Sequence, residues 1–130
     1  AFLNGQPVSV SATRDIQRAL FVTGFPYDRR AHADALLARV KRAMLIGHGV
    51  RRSGSAALDL AWLACGRVDA YWEQGLAAYD VAAGVRLVRQ AGGRVTTWQD
   101  VEHHLRSDQI CATNGAIHDA VLTKVCAPLE

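Results

Sequence analysis

Apolar positions along the chain change their period several times, and the changes mark out its elements. Pro7 to Thr13 (P-V-S-V-S-A-T) alternates with a period of two, the pattern of a half-buried strand, and the Asn4-Gly5 pair before it favours a tight hairpin turn. Residues 1–13 therefore read as a hairpin, which alone is only marginally stable and wants further strands to pair with. Arg18 to Phe25 contains the unbroken run A-L-F-V-T-G-F, as in a strand covered on both faces, and Pro26 ends it. From Ala31 to Leu45 the period lengthens to that of a helix. Ala33, Leu36, Leu37, Val40 and Met44 form its apolar stripe, with Arg39, Lys41 and Arg42 turned outward. Gly47 and Gly49 close it, and V-R-R-S leads as a short strand into Gly54.

The helix predicted from Ser55 to Cys65 is apolar nearly all round, with Asp59 its only charge, so it belongs in the interior. Gly66 stops it. Val68 to Trp72 reads as a strand, Asp80 to Ala91 as a helix with Val81, Val85 and Val88 on one face, and Gly92-Gly93 as its end. Strands follow at Arg94 to Trp98 and Gln109 to Thr113, then a helix from Ile117 to Val125. Gln99 to Ser107 is the expected exposed loop. Strands alternating with helices predict an α/β fold, a mainly parallel sheet flanked by helices.

Half of the 130 residues are hydrophobic, enough for a core, and 21% are charged, which argues against disorder. A net charge of +3 suits an anionic partner, either a phosphorylated small molecule or nucleic acid. Cys65, Cys111 and Cys126 form no C-x-x-C; the odd count is expected to be reduced thiols in a cytoplasmic protein. No apolar run approaches the roughly 20 residues that cross a bilayer. The opening A-F-L-N-G-Q-P has no basic n-region, so no signal peptide is expected.

Among residues that could carry chemistry, Asp80 stands first. It can cap the helix it opens, and it can equally offer a hard oxygen to magnesium. A helix N-terminus also favours a nearby phosphate. Glu73, following the strand Val68 to Trp72, lies where α/β sheets bind ligands and could accept hydrogen bonds from substrate hydroxyls. Gly54, Ser55 and Ala56 occupy another strand-to-helix junction: Ser55 is a natural N-cap, while Gly54 and Ala56 let a ligand approach the backbone. Other clusters carry less. His103-His104 beside Glu102 lacks a second ligand pair for zinc. Arg29-Arg30 and Arg51-Arg52 have no aromatics interleaved, so no stacking surface for RNA is expected. Ser53 and Ser55 lack a nucleophile-elbow context.

Six pieces in one order resemble the inositol monophosphatase family. They are A-F-L-N-G-Q-P-V-S-V-S, F-V-T-G-F-P-Y-D-R-R, G-S-A-A-L-D-L, G-R-V-D-A-Y-W-E-Q-G-L, Y-D-V-A-A-G and Q-A-G-G-R-V-T, the last running on from the helix before it. The resemblance implies the C-terminal half of an αβαβα fold, with residues 1–13 a hairpin remnant of the N-terminal domain and 14–130 a C-terminal domain contributing to substrate and metal binding. It implies a Mg2+-dependent, lithium-sensitive phosphatase that hydrolyses an inositol-like phosphate monoester through metal-activated water, and a homodimer. Asp80 would ligate magnesium, Glu73 would bind a substrate hydroxyl, and Gly54, Ser55 and Ala56 would line the pocket. Tyr79 stands where the family usually has Trp. The family's upstream Glu and its D-P-x-D-G-T/S motif do not occur in these residues. Two-metal hydrolysis needs several carboxylates around cations ~3.5–4 Å apart, so the chain alone is expected to be inactive without the half that bears them. Fructose 1,6-bisphosphate, histidinol phosphate, a 3′-phosphoadenosine nucleotide and NADP are the alternative substrates, and a non-catalytic RNA-binding module is the alternative of another class.

Overall fold

The computed structural model describes residues 1–130. A two-stranded hairpin, β1 (Phe2–Leu3) and β2 (Gln6–Pro7), stands apart from a five-stranded sheet. Asn4 and Gly5 turn it with φ of 50° and 79°, the left-handed pair that a two-residue hairpin requires. The alternating stretch after Pro7 does not continue as a strand of either sheet. It runs extended along the domain, held by the Val10 N–H on the Ala91 carbonyl at 3.1 Å and by the Ser11 hydroxyl on Asp69. Its alternation records packing of Val10 against the core, not ladder pairing.

The main sheet is ordered β4-β3-β5-β7-β6, from β3 (Leu20–Thr23), β4 (Gly49–Arg51), β5 (Ala70–Gln74), β6 (Arg94–Thr96) and β7 (Gln109–Thr113). β3 pairs parallel with both β4 and β5, whereas β7 pairs antiparallel with β5 and with β6. Four strands thus share one direction and β7 alone opposes them, which makes the sheet mixed. The reason is local: β6 and β7 are joined by a loop without a crossover helix, so the chain returns antiparallel. Pairing with β7 also carries β5 on to Gln74, two residues beyond the strand end expected at Trp72.

Helices cover both faces. Successive residues of β5 point opposite ways. Tyr71 joins Val22, Leu60, Leu63, Val81, Val85 and Ile110 in one core, beneath α2 (Ala56–Ala64) and α3 (Ala78–Gln90). Ala70 and Trp72 join Phe21, Ala43, Trp98 and Val121 in the other, beneath α1 (Arg29–Ile46) and the C-terminal α4 (His118–Val121), which loosens into a π-helical turn over Leu122–Cys126. α2 and α3 pack through Gly84, where an added Cβ would lie 2.5 Å from the Leu60 Cβ. Gly84→Val is therefore expected to destabilise the chain by about 1–3 kcal/mol, read as a lower urea midpoint; an unchanged midpoint would show that the helix pair has slack.

α1 departs from its expected stripe. Leu36 and Ala43 are buried, but Leu37, Met44 and Leu45 are exposed, while Arg39 and Arg42 turn inward. The Arg39 guanidinium lies 4.3 Å from the Trp98 ring centroid. Arg42 donates to the carbonyls of Val125, near the end of the irregular C-terminal turn, and of Ala127 and Pro128 just after it, which have no helical partners. Long arginine stems packed under a backbone in need of donors outweigh the simple apolar stripe.

Candidate active-site cleft

Three parallel strands end on the same side of the sheet, and the loops leaving them enclose a cleft of about 340 Å³. Gly24 and Phe25 follow β3, Arg52 to Ser55 follow β4, and Leu76 precedes α3. Ligand clefts of open α/β sheets form at such strand ends. All five residues singled out in the sequence, Gly54, Ser55, Ala56, Glu73 and Asp80, line this one cleft. A larger depression of about 680 Å³ lies between α3 and the 102–105 loop, but it is more open and Arg89 there is tied to the His103 carbonyl at 2.8 Å.

Asp80 is not the N-cap of its helix. Ala77, in extended conformation, occupies that position, and Asp80 sits in the first turn with Oδ2 accepting the Ala77 N–H at 2.9 Å. The helix starts early because this carboxylate reaches back to an otherwise orphaned donor. Oδ1 has no hydrogen bond, so Asp80 fixes the helix with one oxygen and presents the other. Ser55 is the N-cap of α2, its hydroxyl accepting the Leu58 N–H at 3.2 Å. Gly54 before it has φ of 92°, a left-handed conformation that admits glycine.

Glu73 lies within β5, paired opposite Ile110, and not in the loop after it. It shares the face of Tyr71 and is 6% exposed. Its carboxylate lies directly on Gly24, where a Cβ would fall 1.7 Å from Oε1. Burial raises its pKa to about 7; the charges of Asp59 and Asp80 push the same way, while that of Arg52 pulls against them. Asp59, buried in the first turn of α2, accepts the Ser53 hydroxyl, and burial raises its pKa too. The Tyr71 hydroxyl is buried without a hydrogen-bond partner, and burial followed by the Glu73 charge puts its pKa well up.

A family model described as the inositol monophosphatase family matches residues 1–129. The chain belongs to the inositol monophosphatase family. It is 43% identical over 127 residues to an inositol-1-monophosphatase of Synechocystis, an alignment covering 98% of this chain and 44% of that protein. A Nus factor SuhB of Pseudomonas aeruginosa is 39% identical over 127 residues, covering 96% and 47%. The solved inositol monophosphatase of Anabaena superposes with a TM-score of 0.89 at 48% identity, covering 93% of this chain and 48% of that one. The chain thus spans about half the length of the relatives it matches.

In this member of the inositol monophosphatase family, the cleft holds two things that sequence reading passed over. Arg52, set aside for want of an aromatic neighbour, lies 5.5 Å from the Phe25 ring centroid. The parallel β3–β4 pairing brings their two loops together, a contact hidden in the linear sequence. Gly24 shapes the Glu73 seat, and its only signal was its place in the apolar run. His118, which the sequence did not mark, is a core residue bridging Thr96 and Thr113 at 2.8 and 2.9 Å; burial lowers its pKa to about 4.

The raised Glu73 pKa makes stability pH-dependent. The folded state holds that proton more tightly than the unfolded chain, so its contribution is complete below the ordinary value of 4.5 and is lost as pH rises through about 7. His118 acts in the opposite sense: its contribution is complete above 6.5 and lost as pH falls through about 4. The difference between wild type and Glu73→Gln isolates the first effect. Its urea midpoint is expected to rise relative to wild type between about pH 5 and about pH 8, and a pH-independent difference would contradict the assignment.

Proposed function

We propose that this chain is the substrate-binding half of a Mg2+-dependent phosphatase acting on small phosphate monoesters of the inositol phosphate type, completed by an N-terminal half. The observation that carries this reading is the free Oδ1 of Asp80 in the same cleft as Glu73 and the Gly54–Ser55–Ala56 backbone. A carboxylate oxygen fits a hard divalent cation. The chain offers no group of three or more ligands close enough to hold one, so further carboxylates must come from the other half. When bound, the cation supplies Lewis-acid charge against the phosphoryl and leaving oxygens.

The chain's own residues do the rest. Asp80 is aimed before ligand arrives because its helix-capping bond fixes the carboxylate. Glu73, buried and braced against Gly24, accepts hydrogen bonds from substrate hydroxyls when ionised, orienting the leaving group. The left-handed Gly54 and the small Ala56 leave room for the substrate over the start of α2. Full-length protein given inositol 1-phosphate and Mg2+ is expected to release phosphate, and residues 1–130 alone to release none. Turnover by the short chain, or none by the long one on any small monoester, would contradict this reading.

A further inference from the structure

Tyr71 is wholly buried in the core beneath α2 and α3, yet its hydroxyl has no hydrogen-bond partner. Packing alone does not call for that oxygen. Phenylalanine would fill the same space without burying a polar group, which is destabilising unless it is bonded. The oxygen is already sealed from solvent by this chain, so no other polypeptide can reach it and its acceptor must lie within these residues. The strands alongside supply no side-chain acceptor, since Val22 and Ala112 stand opposite Tyr71 on β3 and β7.

Three carboxylates bear on the hydroxyl, Glu73 first, then Asp59 and Asp80. Asp59 already takes the Ser53 hydroxyl and Asp80 the Ala77 N–H, whereas Glu73 accepts no hydrogen bond within the chain. Glu73 stands two residues on from Tyr71 along β5, so the two side chains leave the same face. A donor without an acceptor thus lies beside an acceptor without a donor. The first is enclosed, and the second opens on the cleft. A buried carboxylate holds its charge at low cost only when donors surround it. A bond from behind would meet that need, leave the cleft-facing lone pairs to the substrate and fix their direction.

We propose that Tyr71 positions Glu73: its hydroxyl donates to the carboxylate when substrate is bound and aims the remaining lone pairs at the hydroxyls of the substrate's polyol. Tyr71 itself touches no substrate and acts through Glu73. This inference rests on the phosphatase reading. The test is kcat and KM of the full-length protein with Mg2+ on inositol 1-phosphate and on p-nitrophenyl phosphate, whose leaving group has no second hydroxyl to bind.

Tyr71→Phe is expected to raise KM for inositol 1-phosphate about tenfold, as a hydrogen bond to a charged group is worth. Its kcat, and its KM for p-nitrophenyl phosphate, should move far less. In a Glu73→Ala background, Tyr71→Phe should add almost nothing. The urea midpoint of Tyr71→Phe should not fall, because the oxygen removed has no partner before substrate binds. An unchanged KM for inositol 1-phosphate, equal rises on both substrates, an undiminished loss in the Glu73→Ala background, or a lowered midpoint would each overturn the inference and leave the phosphatase reading intact. Hydrolysis of p-nitrophenyl phosphate alone by wild type also removes the inference, and hydrolysis of neither removes the phosphatase reading with it.

Discussion

Asp80→Asn is expected to lower the Mg2+-dependent phosphatase activity of the full-length protein by at least about 100-fold. Outer-shell partners of a metal ligand alone are commonly worth about 10–100-fold, and Asp80 is assigned to the ligand shell itself. The substitution separates its two duties cleanly. Asn keeps a carbonyl oxygen that can accept the Ala77 N–H, so the first turn of α3 survives. What it removes is the charge on the oxygen that has no protein partner. The loss should fall mainly on kcat, with the unfolding free energy from urea titration changing by less than about 1 kcal/mol, as for a weakened cap. Activity within a few-fold of wild type would remove Asp80 from the reaction. A collapsed midpoint would show instead that its role is structural.

Gly24→Ala is expected to raise KM by about tenfold or more, the worth of hydrogen bonds to a charged group. A methyl there would sit 1.7 Å from the Glu73 Oε1, so the carboxylate must leave its seat. It cannot retreat at low cost, because its surroundings are buried and already hold Asp59 and the unpartnered Tyr71 hydroxyl. The mechanism predicts non-additivity. In a Glu73→Ala background the new methyl meets empty space, and Gly24→Ala should then have almost no further effect. Additive losses in the double variant would place the effect in the backbone of β3 and not in Glu73.

The residues of the cleft were legible because each sits at a punctuation mark of the chain. Gly54-Ser55 and the acid at Asp80 mark helix starts, and Glu73 belongs to a strand rich in aromatics; those local signals survive folding. What was not legible came from pairings between distant segments. β5 runs on through Glu73 because β7, more than thirty residues later, offers it partners. The inward face of α1 carries Arg39 and Arg42 because Trp98 and the C-terminal carbonyls need them, and no helical period reveals that. Arg52 found its aromatic, Phe25, across a parallel strand pair. The antiparallel β7 was hidden for a similar reason, since the loop before it reads alike whichever way the chain returns.

Manganese can stand in for magnesium and is counted by electron paramagnetic resonance, so its binding to full-length protein bears most directly on the role of the Asp80 carboxylate. Wild type should bind Mn2+, and Asp80→Asn should bind one site more weakly by about 100-fold, with its fold unchanged by circular dichroism. Equal binding by the two proteins, site for site, would contradict the assignment of Asp80 and with it the proposed chemistry of the cleft.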